Sequence, residues 1–113
     1  VFTFNPHLIP TFRGILSSIY ISKKNSISIN KIIKTLKDFY RNDPFIKINK
    51  PNSQMGTGNV LNTNLCELSI CQSKIKDRIV IFSAIDNLIK GAAGQAIQNM
   101  NVMFNLSQRK GLK

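Results

Sequence analysis

Few side chains in this sequence could carry chemistry, and His7, the sole histidine, is the first of them. It stands between Pro6 and Pro10, in a stretch from Asn5 to Arg13 that prolines bar from regular helix. Imidazole titrates near neutral pH, so His7 suits proton transfer or, as is common for a lone histidine, a purely structural bond. Arg13 follows six residues later, with a planar fork of donors matched to carboxylate or phosphate oxygens. The alternative for Arg13 is a salt bridge holding its own loop. The acids available for that are Asp38, Asp43, Glu67, Asp77 and Asp86.

Asp86-Asn87 ends an apolar run, and either side chain can cap a following helix by accepting a free N–H of its first turn. That helix sets large apolar residues (Leu88, Ile89, Ile97, Met100, Met103, Phe104) beside a strip of small ones (Gly91, Ala92, Ala93, Gly94, Ala96). Glycine costs roughly 1 kcal/mol against alanine inside a helix, so Gly91 and Gly94 imply the close approach of a backbone or a ligand. A tight helix-to-sheet contact is the plainest form of that.

Cys66 is a poor nucleophile candidate, because it sits mid-strand beside Glu67, whose charge works against the thiolate. Cys66 and Cys71 fall on opposite faces of one predicted strand, so a disulfide between them is excluded. Two thiols do not make a zinc site, and no metal is expected. Free cysteines fit a reducing compartment.

The elements that must position these residues follow from periodicity and breakers. Val1 to Phe4 reads as the end of a strand, and Gly14 to Lys23 as a second one. Ser28 caps a helix with apolar residues at Ile29, Ile32, Ile33, Leu36, Phe39 and Tyr40, a helical spacing throughout. Its other face, with Asn30, Lys31, Lys34, Lys37 and Asp38, is a solvated surface, and Asp43-Pro44 ends it. Phe45 to Asn49 is a short strand, Lys50 to Gly58 a loop, and Leu65 to Gln72 and Ile79 to Ile85 two strands joined by a polar turn. The order β, β, α, β, β, β, α argues an α+β fold: a largely antiparallel sheet with helices on one face, whose other face needs a partner.

The 113 residues carry a formal net charge of +11, which ordinarily points to nucleic acid or an anionic membrane. Here the basic residues are dispersed, mostly lysine, and accompany an excess of Ile and Asn of the kind A/T-rich codons produce. A small basic nucleic-acid-binding module is the alternative function, but an RNP-like aromatic pair, a zinc pattern and a basic recognition helix are all missing. No apolar run approaches the roughly 20 residues that span a bilayer. Neither a Gly-x-Gly-x-x-Gly nor a Walker-type loop occurs.

Four segments, in order, carry a family resemblance. Pro6-His7-Leu8-Ile9-Pro10-Thr11-Phe12-Arg13-Gly14 matches a Pro-His-Leu-x-Pro-x-x-Arg-Gly element. Tyr40 to Ile46, Thr63 to Leu68, and Asp86 to Asn101 follow. Together they resemble the C-terminal part of N-acetyl-gamma-glutamyl-phosphate reductases, members of the glyceraldehyde-3-phosphate dehydrogenase-like group. A related acyl-phosphate reductase, such as an aspartate-semialdehyde dehydrogenase, is a further alternative that the run from Gly91 to Asn99 disfavours.

The resemblance implies a fragment lacking the Rossmann domain. Residues 1–86 would be part of the substrate-binding and oligomerisation domain, and residues 87–113 a helix and tail returning to the absent coenzyme domain. It implies an NADP-dependent reduction of N-acetyl-glutamyl 5-phosphate to N-acetyl-glutamate 5-semialdehyde plus phosphate, through a cysteine upstream of Val1, in arginine biosynthesis. It also implies a homo-oligomer in the cytoplasm or an organelle stroma, with no nucleic-acid or membrane partner, and no catalysis by this piece alone. His7 is then the acid–base group beside that cysteine, and Arg13 a contact to the substrate's anionic groups. Asn87 binds the nicotinamide carboxamide, and Gly91 lets the helix approach the coenzyme half. Two departures stand out: Asn62 and Asn105 replace expected glycines, and asparagine tolerates the positive φ such positions need.

Overall fold

A computed structural model describes residues 3–24 and 26–113. The elements run in the order β1 (Ile15–Ser22), α1 (Ile29–Phe39), β2 (Ile46–Ile48), β3 (Cys66–Gln72), β4 (Arg78–Ile85) and α2 (Gly94–Met103). A single 3-10 turn, Thr57–Asn59, precedes β3, and a π-helical turn, Ile89–Ala93, precedes α2. The strands form one four-stranded sheet in the order β1-β4-β3-β2. β4 pairs antiparallel with both β1 and β3, while the short β2 runs parallel to β3. The α+β, largely antiparallel architecture is thus present, with four strands among the described residues where five were expected. Thr3 and Phe4 are not in a strand, and Val1 and Phe2 of the expected first strand lie outside the described residues.

Helix α1 forms as its spacing demands. Ser28 is its N-cap, the Oγ accepting the Lys31 N–H at 3.2 Å. Its apolar stripe buries Ile33 against Ile70 of β3 and Ile79 of β4, with Ile29, Ile32, Leu36, Ile48 and Ile81 packed around them. That core covers only part of the sheet. Residues 15, 19 and 21 of β1 pair with 85, 81 and 79 and so share the α1 face, yet Ile15, Ile19 and Ile21 remain 46%, 45% and 39% exposed.

The opposite face is covered over β3 by the segment between β2 and β3, in which Val60 is buried and Ser53 O accepts the Ser69 hydroxyl at 2.7 Å. Glu67 on this face is buried and takes Lys47 Nζ at 2.7 Å. Burial alone would raise its carboxyl, but the bond and charge of Lys47, with Asn49 and Asn59, hold it below the usual value. Over β1 the face is bare: Leu16 and Tyr20 stand exposed.

Helix α2 does not lie on the sheet. It packs against Asn64 and against the chain's own tail, where the buried Asn101 donates through Nδ2 to the carbonyls of Gln108 at 3.2 Å and Lys110 at 2.9 Å. Asn62 and Asn105 have φ of 62° and 53°, the left-handed region that asparagine was expected to tolerate there.

Candidate functional site

Strand β4 ends at Ile85, and the next residue organises everything around it. Asp86 is fully buried. Its Oδ1 accepts the N–H groups of Leu88 at 2.9 Å and Ile89 at 3.2 Å, the two free donors at the start of the helical segment. Of the Asp-Asn pair, Asp86 is therefore the cap. Its Oδ2 takes the Asn62 N–H at 2.7 Å and is ion-paired with Arg13 Nη2. Burial pushes the Asp86 carboxyl upward, but the Asn62 N–H, the Arg13 guanidinium and the Leu88 and Ile89 N–H groups outweigh it and hold the group below the ordinary carboxylate value.

Arg13 makes a second bond from the same nitrogen, Nη2 to Asn62 Oδ1 at 2.9 Å. Nε is buried without a partner, and Nη1 makes no hydrogen bond among the described residues. The Phe12 ring centroid lies 5.9 Å from the guanidinium carbon. The next residue repeats the attachment through its backbone: the Gly14 N–H donates to Asn87 Oδ1 at 2.8 Å. Gly14 has φ of 110°, and a Cβ there would lie 2.6 Å from Thr57 Cβ, so glycine is required by both conformation and space. Residues 13 and 14 are thereby stitched to residues 86 and 87, and the half-buried Asn87 keeps its amide NH2 without a partner among the described residues.

The two helical glycines have different reasons. A Cβ on Gly94 would overlap Asn64 Oδ1 and lie 2.6 Å from Ile89 Cγ2, so this residue is closed in by its own chain. The tight helix-to-sheet contact expected of Gly94 is corrected: it makes room for Asn64, in the loop before β3. A Cβ on Gly91 would meet nothing nearer than Ile85 Cδ1 at 3.5 Å, an ordinary contact on an exposed surface. Its N–H bonds Asp86 O at 3.0 Å, which makes the first turn a π-turn where regular α-helix was expected.

Arg13, Asn87 and Gly91 therefore meet around Asp86. His7 does not join them. It is exposed in the loop before Arg13, and its side-chain partner among the described residues is Asn5 O, 3.0 Å from Nδ1, a bond that needs hydrogen on Nδ1 and leaves Nε2 as the free nitrogen of the neutral ring. Spacing gave no sign of Asn62 as a side-chain partner of Arg13, or of Thr57 under Gly14, since both contacts cross more than a third of the chain. Both cysteines are free and half-buried, Cys66 beside Ser83 Oγ at 3.6 Å. Among the described residues no cluster of three or more His, Cys, Asp or Glu could hold a metal ion, and no helix is long and apolar enough to cross a membrane.

With this geometry in view, the comparison with known proteins is direct. Residues 1–87 match the family described as semialdehyde dehydrogenase, dimerisation domain. The chain belongs to that family. It is also similar to proteins named N-acetyl-gamma-glutamyl-phosphate reductase. One from Halothermothrix orenii is 47% identical over 113 residues, 100% of this chain and 33% of the relative. Others from Clostridium botulinum and Thermoanaerobacter pseudethanolicus are 46% and 42% identical over 97% and 96% of this chain. The chain spans about a third of the length of these relatives. Around Asp86 this member of the family gathers Arg13, Asn87 and Gly91.

Proposed function

We propose that the protein containing this chain is an NADP-dependent reductase of arginine biosynthesis, converting N-acetyl-glutamyl 5-phosphate to N-acetyl-glutamate 5-semialdehyde and phosphate. The observation that carries this reading is similarity along the whole chain, at 47% identity, to a relative bearing the reductase name. Residues 1–86 then provide the substrate side and the oligomer contact, and residues 87–113 reach back toward the coenzyme half. The protein works as a homo-oligomer, in the cytoplasm or an organelle stroma. The bare apolar surface of β1 supports an oligomer contact.

The residues present fit such a reaction atom by atom. His7 offers Nε2 to move protons to and from the attacking sulfur and the carbonyl oxygen. Arg13, fixed by Asp86, offers Nη1 to an anionic oxygen of the substrate. Asn87 offers its free amide NH2 to the nicotinamide carboxamide while its Oδ1 is held by Gly14. The nicotinamide supplies the hydride when bound. Exposed Gly91 leaves the helix surface flat for the coenzyme half.

The test is turnover by the full-length protein with NADPH, read as phosphate release matched by coenzyme oxidation. Equal or better rates with NADH would overturn the coenzyme assignment, and no turnover would overturn the substrate. The isolated chain is expected to be inactive and to regain activity when the upstream half is supplied. Turnover by the isolated chain would contradict that division of labour.

A further inference from the structure

An NH2 group has two hydrogens, and both of those on Arg13 Nη2 are spoken for. One goes to Asp86 Oδ2 and the other to Asn62 Oδ1 at 2.9 Å. The two acceptors are not equally fixed. Asp86 is fully buried and takes four N–H donors, so it does not move. Asn62 is exposed, and its side chain is the part of this arrangement that a substitution can remove without opening the core. Its backbone sits at φ 62°, which glycine adopts at no steric cost. The backbone N–H that Asn62 gives to Asp86 Oδ2 does not depend on the side chain.

Arg13 binds an oxygen pair well only when two adjacent N–H groups are free to form parallel bonds. With both Nη2 hydrogens taken and Nε buried, Nη1 alone remains open. We infer that Asn62 limits how tightly Arg13 can hold an anionic oxygen pair, because its Oδ1 occupies the Nη2 hydrogen that a phosphate or carboxylate would otherwise share with Nη1. Asn62 is a positioning residue in this account: it touches the guanidinium and not the substrate. A moderate hold on the anion suits a site that must release phosphate as a product, since an interaction equally strong before and after reaction slows departure without speeding chemistry.

This inference rests on the reading of Arg13 as the substrate-anion contact, and the test separates the two. In the full-length enzyme, inhibition constants are measured for inorganic phosphate and for N-acetylglutamate in the parent, Asn62→Gly, Asn62→Asp and Arg13→Lys. Asn62→Gly is expected to lower one of the two constants threefold or more with the melting temperature nearly unchanged, and the probe that responds names the group Arg13 meets. Asn62→Asp places a second carboxylate on the guanidinium and is expected to raise the same constant. If Arg13→Lys raises a constant but Asn62→Gly leaves both unchanged or raises them, the role given to Asn62 is wrong while that of Arg13 stands. If Arg13→Lys moves neither, both readings fall. A purely structural Asn62 would shift the melting temperature and leave both constants alone.

Discussion

Arg13 and Asp86 lie 73 residues apart in sequence and form an ion pair in which the carboxylate is fully buried and the arginine side chain half-buried. The pair fastens the loop that carries His7 to the junction between β4 and the helical segment. Because the same carboxylate also caps that segment, one residue fixes the height of Arg13, the start of the helix and, through Gly14, the side chain of Asn87.

Replacing Asp86 should therefore cost stability and change its pH dependence. Asp86→Ala strands a half-enclosed guanidinium and uncaps two N–H groups, for a loss of about 3 kcal/mol. The folded carboxyl titrates below its unfolded value near 3.8, so its contribution is fully present above that value and disappears as pH falls through the lower folded one. Thermal unfolding of the full-length protein between neutral pH and about pH 3 should show a steeper acid loss in the parent than in Asp86→Asn. Equal slopes would mean that the pair does not stabilise the fold.

His7 and Arg13 should fail in different ways. His7→Asn keeps shape and hydrogen bonding but removes the titrating nitrogen, so kcat should drop by ~10²–10⁴-fold with little change in melting temperature. A kcat within threefold of the parent would leave His7 a structural residue. Arg13→Lys keeps the charge but cannot serve Asp86, Asn62 and an anion together, so KM should rise roughly tenfold, about 1.4 kcal/mol of binding.

The two glycines give a cleaner contrast. Gly94→Ala forces a methyl group into Asn64 and Ile89 and should destabilise by about 1–3 kcal/mol. Gly91→Ala meets only ordinary contacts and should leave the melting temperature unchanged or raise it. If the helix surface faces the coenzyme half, Gly91→Ala should nevertheless raise the KM for NADPH. Similar thermal effects for both variants would refute the separate reasons given to them.

For the oligomer, Tyr20 is the informative position, because it is 73% exposed and so contributes little to packing within its own chain. Tyr20→Glu should shift the full-length protein toward a smaller assembly in light scattering, without loss of secondary structure. An unchanged mass would place the contact elsewhere.

Local signals were readable and distant ones were not. Ser28 and the stripe from Ile29 to Leu36 announced α1 because cap and period both lie within its own dozen residues. Positive φ at Asn62 and Asn105 follows from the glycines the resemblance expects there, and asparagine is among the few residues that accept it. Arg13 is legible as a residue needing an anion, but which of five acids takes it does not follow from spacing, because the answer depends on β1 pairing with β4. Gly94 signals a close neighbour, but not Asn64, for the same reason: the contact is set by how the chain folds back. The resemblance marks Arg13, Asn87 and Gly91, whereas Asp86, which joins them, is legible only as a possible cap and as one of five acids open to Arg13.

The pairing of β1 with β4 also orders events during folding. Strands β3 and β4 are joined by a short turn and can find each other quickly, whereas Ile15 must reach Ile85 across most of the chain. Arg13 and Gly14 sit immediately before that distant strand, so sequence separation predicts that the ion pair closes after the hairpin has formed and β1 has joined it. Newly made chains would hold a hairpin well before they hold an assembled site. A substitution that slows the docking of β1 would thus prolong a state in which Asp86 waits, buried in prospect and still wet, for its cation.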